Sequence, residues 1–212
     1  MNPILERLLT DGWFEHDGAQ WPLAHCTDVD ICRRYHEFIR EESVHDVLEI
    51  GTLFGLTTLT FADVVGRRGG HVDTIDLSRE VHPWPDGREI RHIHDAAVRH
   101  VTQAGLAEVV TFHAGDSKAV LPSLLAAGHR YDFALIDGDH KFPAVLLDFL
   151  SVDRMVRIGG YVALDDVSSR LAMNERFNGG PNRVLEAMFS SGRYEITPWS
   201  PNVAVCRKLR DP

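Results

Sequence analysis

Five short apolar segments, each running into a glycine or an acid, recur along this chain with helical patterns between them. They are 44–50 (VHDVLEI), 71–76 (HVDTID), 109–115 (VVTFHAG), 131–137 (YDFALID) and 160–166 (GYVALDD). Having few interior charges, they read as strands buried on both faces, the condition of a parallel sheet. Residues 56–65, 94–104, 116–127 and 142–156 read as the intervening helices. In the last of these, Val145, Phe149, Val152 and Val156 recur at spacings of four, three and four, which marks one buried helical face. Strand and helix in strict alternation leave few architectures open. The expected one is a doubly wound α/β fold in three layers, with a mostly parallel sheet covered by helices on both sides.

The flanks add to that frame. Val29, Cys32, Tyr35 and Ile39 form a stripe on a helix expected over 27–42, and the segment before it carries Trp13, Phe14 and Trp21. After the fifth strand comes a polar loop at 168–183, a helix near 184–190, and strands at 194–199 and 202–209. Ser200 and Pro201 join those two strands, so a C-terminal antiparallel hairpin is expected. The organisation read from this is a single domain over 1–212, with a helical or lid segment at 1–43 and a core at 44–209.

Composition excludes several classes of function. Twenty-two Lys and Arg stand against 31 Asp and Glu, a net charge of −9, which disfavours a nucleic-acid phosphate backbone as partner. The three cysteines, Cys26, Cys32 and Cys206, are odd in number and contain no C-x-x-C pair. They point to a reducing compartment and away from a disulfide framework or structural zinc. The N-terminus has no apolar run of signal-peptide length, and no stretch approaches the ~18 apolar residues of a membrane span. The expectation is a cytoplasmic protein with a small-molecule partner, no nucleic acid and no membrane, and with a homodimer left open.

The first strand runs through Glu49 and Ile50 into Gly51-Thr52-Leu53-Phe54-Gly55 and then directly into a helix containing Thr57. Glycine allows a tight turn and a close approach to a ligand, and a helix N-terminus offers free N–H groups. The pattern departs from the dinucleotide fingerprint, because Leu53 stands where its second glycine belongs. Asp76 ends the second strand, where an acid can take both ribose hydroxyl hydrogens of a nucleoside or merely cap a turn. Gly115-Asp116-Ser117 ends the third strand. Asp116 there can accept from an adenine amino group or simply cap the next helix. Together these positions resemble class I S-adenosylmethionine-dependent methyltransferases, over roughly residues 44–209. That resemblance implies a Rossmann-like fold with Glu49, Gly51, Thr52, Gly55, Thr57, Asp76, Gly115, Asp116, Ser117 and Asp137 about the cofactor.

The fourth strand runs into Asp137-Gly138-Asp139-His140-Lys141 and the fifth into Asp165-Asp166. A right-handed crossover would bring the two strand ends together. Carboxylates converging there repel, and a hard cation such as Mg²⁺, Mn²⁺ or Ca²⁺ is the natural remedy; otherwise the acids face solvent in loops. The segment is similar to small bacterial methyltransferases with I-D-G-D-H followed by a D-D or H-D pair. It is also related to cation-dependent O-methyltransferases acting on catechols, caffeoyl-CoA and macrolide or aminocoumarin sugars. This resemblance implies Asp137, Asp165 and Asp166 as metal ligands and His140 or Asp139 as the catalytic base. The catechol and caffeoyl-CoA enzymes have Asn where Asp166 stands, which leaves the substrate class open.

The leading expectation is methyl transfer to an oxygen of a small molecule. Trp13, Phe14, Trp21 and the loop 168–183 would supply specificity, and Trp84 would line the adenine pocket or pack in the core. The alternatives are metal-free N- or C-methylation, a cofactor-binding protein without catalysis, and, weakest, a dehydrogenase, against which Leu53 and the hairpin both count.

Overall fold

The computed structural model describes residues 1–23, 28–167 and 179–211. In chain order the elements are α1 (Pro3–Asp11), β1 (Trp13–His16), β2 (Ala19–Pro22), α2 (Val29–Glu41), β3 (Asp46–Ile50), α3 (Leu56–Val65), β4 (His71–Asp76), β5 (Val81–Pro83), β6 (Glu89–Arg91) and α4 (Ile93–Gln103). There follow β7 (Val110–Ala114), α5 (Ser117–Ala126), β8 (Tyr131–Ile136), α6 (Phe142–Met155), β9 (Val156–Leu164), α7 (Gly179–Ser191), β10 (Tyr194–Pro198) and β11 (Ala204–Lys208). The chain falls into two compact units, one of Met1–His45 with Thr52–Ala114, the other of Asp46–Gly51 with Gly115–Pro212.

The second unit carries five strands in the order β10-β11-β9-β8-β3. Strands β3, β8 and β9 run parallel, with Ile50 beside Ile136 and Ile136 beside Leu164. β11 and β10 close antiparallel, as Ser200 and Pro201 foretold. Here β9 begins at Val156, earlier than expected, because α6 passes into it without a loop. Lys208 is buried on β11, and its Nζ donates to the carbonyl oxygens of Asp153 and Val156, the latter at 3.0 Å.

In the first unit β4 and β7 form a parallel pair that ends with Asp76 beside Ala114. Helix α1 starts at Asn2, whose Oδ1 accepts from the Ile4 N–H at 2.9 Å, and stops at Gly12 in the left-handed region. The buried Asp63 of α3 ties this corner together by accepting from the Asn2 N–H, His36 Nε2 and the Arg67 guanidinium. Burial alone would raise the Asp63 pKa, but those hydrogen bonds hold it well below the usual carboxylate range.

Sequence reading missed two hairpins in this unit, β1–β2 and β5–β6, whose strands of four and three residues are too short to show a period. The first of them corrects the expectation that Phe14 and Trp21 face a substrate. Opposed in register, both are buried with Leu5, Leu8, Phe54 and Trp84. Phe14 stacks on Phe54 at 4.8 Å between ring centroids, and Trp84 meets Trp21 edge-on at 5.4 Å. Trp84 is thus a core residue, while Trp13 stays partly exposed. Residues 24–27 of the expected helical or lid segment and 168–178 of the expected loop lie outside the described residues.

The fold is the expected Rossmann-like α/β class, mostly parallel with a closing antiparallel hairpin; seven strands carry it, five in the second unit and two in the first. Among the described residues no helix is long and apolar enough to cross a membrane.

Candidate active site

In the first unit, the turn Thr52–Gly55 is folded onto the end of β4 by Asp76. The N–H groups of Thr52 and Leu53 donate to Asp76 Oδ2 at 3.1 and 3.0 Å, and the Ser78 N–H donates to Oδ1 at 2.8 Å. The hydroxyls of Thr52 and Thr74 lie 2.6 Å apart beneath the turn. A carboxylate has about four acceptor positions, so three are already engaged. Ribose hydroxyls would meet the fourth, or take those that the turn now uses.

Leu53 has φ +49°, a left-handed conformation that a leucine adopts only under strain. Gly55, at φ +80°, opens α3, and a Cβ there would lie 2.8 Å from the Cβ of Ala97 on α4. Thr57 is partly exposed on the first turn of α3. Phe54 offers its carbonyl to His100 Nδ1 at 3.0 Å. Burial lowers the His100 pKa to about 4, so this ring is neutral at physiological pH and acts as a donor that braces the turn.

In the second unit, Gly51 is forced by its surroundings. Its φ is +105°, and a Cβ would come within 2.1 Å of the Asp137 carbonyl oxygen. The Asp137 N–H donates to the Ile50 carbonyl at 2.9 Å, so β3 and β8 end locked together with no room for a side chain between them. Glu49, one residue inside β3, is fully buried. The Asp165 N–H donates to the Ile136 carbonyl at 3.2 Å, which sets Asp165 beside the end of β8.

The expected convergence of acids therefore occurs. Burial first, then the charges of Asp165, Asp166 and Glu49, push the Asp137 pKa well above the usual carboxylate range. Burial, with the charge of Asp166, raises Asp165 to about 6. Among the described residues, however, no group of three or more His, Cys, Asp or Glu side chains is arranged to hold a metal ion.

His140 lies over this cluster, its Nδ1 at an ion-pair distance of 2.8 Å from Asp166 Oδ2. Asp166 itself sits at φ +53°. The backbone that carries His140 is held by α7: the Gly180 N–H donates to the His140 carbonyl at 3.1 Å, and a Cβ on Gly180 would approach that oxygen to 2.3 Å. Asp139 is exposed, and its Oδ1 accepts from the Lys141 N–H at 3.0 Å. That hydrogen bond makes it a turn residue at the entrance to α6.

At the start of α5, Asp116 caps the helix by accepting from the Lys118 N–H at 3.0 Å, while Gly115 precedes it. Its other oxygen is 3.7 Å from Lys118 Nζ, and the residue is exposed. Ser117 Oγ donates to Asp148 Oδ1 at 2.7 Å.

Two groups escaped sequence reading. Asp148 sits mid-helix on a face otherwise marked as apolar, and only its interruption of that face could have signalled it. Gly180 stands in a polar stretch read as loop.

The first unit thus offers a braced turn with strained backbone, and the second a capped turn at α5 and an imidazole set against a carboxylate beside clustered acids.

Residues 48–167 match the family described as Methyltransferase domain. No curated protein sequence matches the chain. Among solved structures, the chain resembles the O-methyltransferase TomG from Streptomyces achromogenes involved in tomaymycin synthesis, in complex with SAM. The two share 17% identity at a TM-score of 0.73, over 99% of this chain and 91% of that one. An O-methyltransferase from Bacillus cereus in complex with SAH gives 19% and 0.72, over 98% and 92%. The cofactor-bound Rv0187 from MTB gives 21% and 0.74, over 100% and 92%.

Proposed function

The chain belongs to the methyltransferase-domain family, and we propose that it moves the methyl group of S-adenosylmethionine to a hydroxyl oxygen of a small molecule. The observation that carries the oxygen acceptor is His140 set 2.8 Å from Asp166 beside the acidic strand ends of β8 and β9. Transfer from a sulfonium to an alcohol needs two things, an in-line approach of oxygen to methyl and removal of the hydroxyl proton. The first is a matter of alignment. The second calls for a general base, the role of His140, with Asp166 orienting its ring and stabilising the imidazolium that forms. Asp139, exposed and engaged in its own turn, is the weaker candidate for base.

In this reading the Gly51–Gly55 turn, with Glu49 and Thr57 at its borders, holds the methionine part of the cofactor. Asp76 takes the ribose, Gly115, Asp116 and Ser117 take the adenine, and Asp137 borders the methyl donor. The TomG and Bacillus cereus structures were solved with SAM and SAH, and that supports the assignment.

Asp137, Asp165 and Asp166 would hold a divalent cation. Their chemistry fits one, since all are hard oxygen donors whose mutual repulsion a cation would relieve. When bound, the ion supplies positive charge that lowers the pKa of the acceptor hydroxyl. A metal-independent reaction is the second reading, favoured by the same His140–Asp166 contact, because that contact engages one of the three carboxylates.

The test is release of S-adenosylhomocysteine from a panel of catechol, phenol and sugar hydroxyl acceptors, before and after exhaustive chelation. His140→Ala should lower turnover by roughly 10²–10⁴ while cofactor binding persists. Loss of activity on chelation with recovery on adding Mg²⁺ supports the metal, and undiminished activity removes it. Turnover of His140→Ala equal to wild type, with a true acceptor, would refute the base assignment.

A further inference from the structure

Asp148 is a buried acid for which the chemistry above has no use. It lies on the inner side of α6, 2% exposed. Carboxylates are almost never so buried unless paired, and its surroundings bring more negative than positive charge. Asp116 at the head of α5 and Asp139 in the loop before α6 are like charges, and Lys118 is the cation acting on it. Among the described residues, Ser117 Oγ donates to Asp148 Oδ1 at 2.7 Å. An asparagine or leucine would fill the same place at lower cost. A buried charge kept against its electrostatics and aimed at a ligand-facing turn points to function.

We propose that Asp148 is a positioning residue for the adenine ring, acting through Ser117, whose hydroxyl it turns into an obligate hydrogen-bond acceptor. A serine hydroxyl has one proton. With that proton committed to Asp148, only lone pairs of Ser117 Oγ remain for a ligand. An adenine amino group donates to such an oxygen, whereas the 6-oxo group of hypoxanthine presents lone pairs against lone pairs. The pair thus reads adenine against its deaminated form, while Asp116, bound to its own helix cap, reads charge and shape. This inference rests on the cofactor assignment above and adds to it a discriminating device.

The experiment is titration calorimetry of the wild-type protein, Asp148→Asn and Ser117→Ala with S-adenosylhomocysteine and S-inosylhomocysteine between pH 5 and 8. Wild type should prefer the adenosyl ligand by about tenfold, the equivalent of one hydrogen bond to a committed acceptor. Its affinity should weaken below about pH 6, where Asp148 takes up its proton.

In Asp148→Asn the amide can offer Ser117 either a donor or an acceptor. The preference should therefore shrink toward unity, and the pH dependence should flatten. Ser117→Ala, which removes the acceptor itself, should lose the preference to a similar degree. A wild-type protein that binds neither ligand overturns the cofactor assignment itself. Wild-type binding with both variants keeping the same preference and the same pH profile overturns the role of Asp148.

Discussion

Replacing Asp148 by Asn should make the protein more stable at neutral pH and leave it no more stable in acid. The carboxyl ionises near 3.8 in an unfolded chain and is pushed to about 6 in the fold by burial, only partly offset by the Ser117 hydrogen bond. A folded pKa above the unfolded one means that the fold favours the protonated form. Asp148 therefore costs nothing below pH 3.8. Its cost grows between 3.8 and about 6 and is complete above that. At 1.36 kcal/mol for each tenfold change, the full cost is about 3 kcal/mol, and a 2% exposed group leaves little room for solvent screening.

That cost is already net of the Ser117 hydrogen bond, and Asn, like the protonated carboxyl, keeps a neutral one in its place. The gain near pH 8 should therefore be about 3 kcal/mol, or roughly 6–12 °C in Tm for a domain of this size. Urea titrations of both proteins at half-unit steps from pH 4 to 8 give the difference directly, and other titrating groups cancel in it. A difference that stays flat across the range, or a variant less stable than wild type at pH 8, would refute the reasoning. Together with weaker discrimination of adenine, the expected result would make Asp148 a residue that sacrifices stability for recognition.

Two further outcomes follow from the packing. Gly51→Ala must place a Cβ 2.1 Å from the Asp137 carbonyl at a φ of +105°, so it should part the ends of β3 and β8 and abolish S-adenosylhomocysteine binding in calorimetry. Phe14→Ala should destabilise the fold by about 3–5 kcal/mol in urea unfolding, the range for an aromatic truncated in a core. A change under 1 kcal/mol with a raised acceptor KM would instead return Phe14 to the role of a substrate-facing lid.

Much of this protein can be read in one dimension. The alternation of apolar runs with 3.6-residue stripes shows the α/β class, because each buried face leaves its own period in the residues that form it. Acids and glycines at strand ends mark the candidate positions for a similar local reason: the end of a buried strand is where the chain first meets solvent. Gly51, Asp76, Asp137 and Asp165 all declare themselves in this way.

What the sequence does not carry is the choice of partner across a long span of chain. Phe14, Trp21 and Trp84 have the same composition whether they cover a ligand or fill a core, and only their closure on Phe54 decides for the core. Asp76 is legible as an acid at a strand end, but its engagement by the N–H groups of Thr52 and Leu53 depends on how the turn folds back. His140 and Asp166, like Ser117 and Asp148, are each more than 20 residues apart, and no period links them. Their pairing is decided by which helix packs beside which strand end. That choice is made by the whole buried surface, to which each of these polar residues contributes almost nothing.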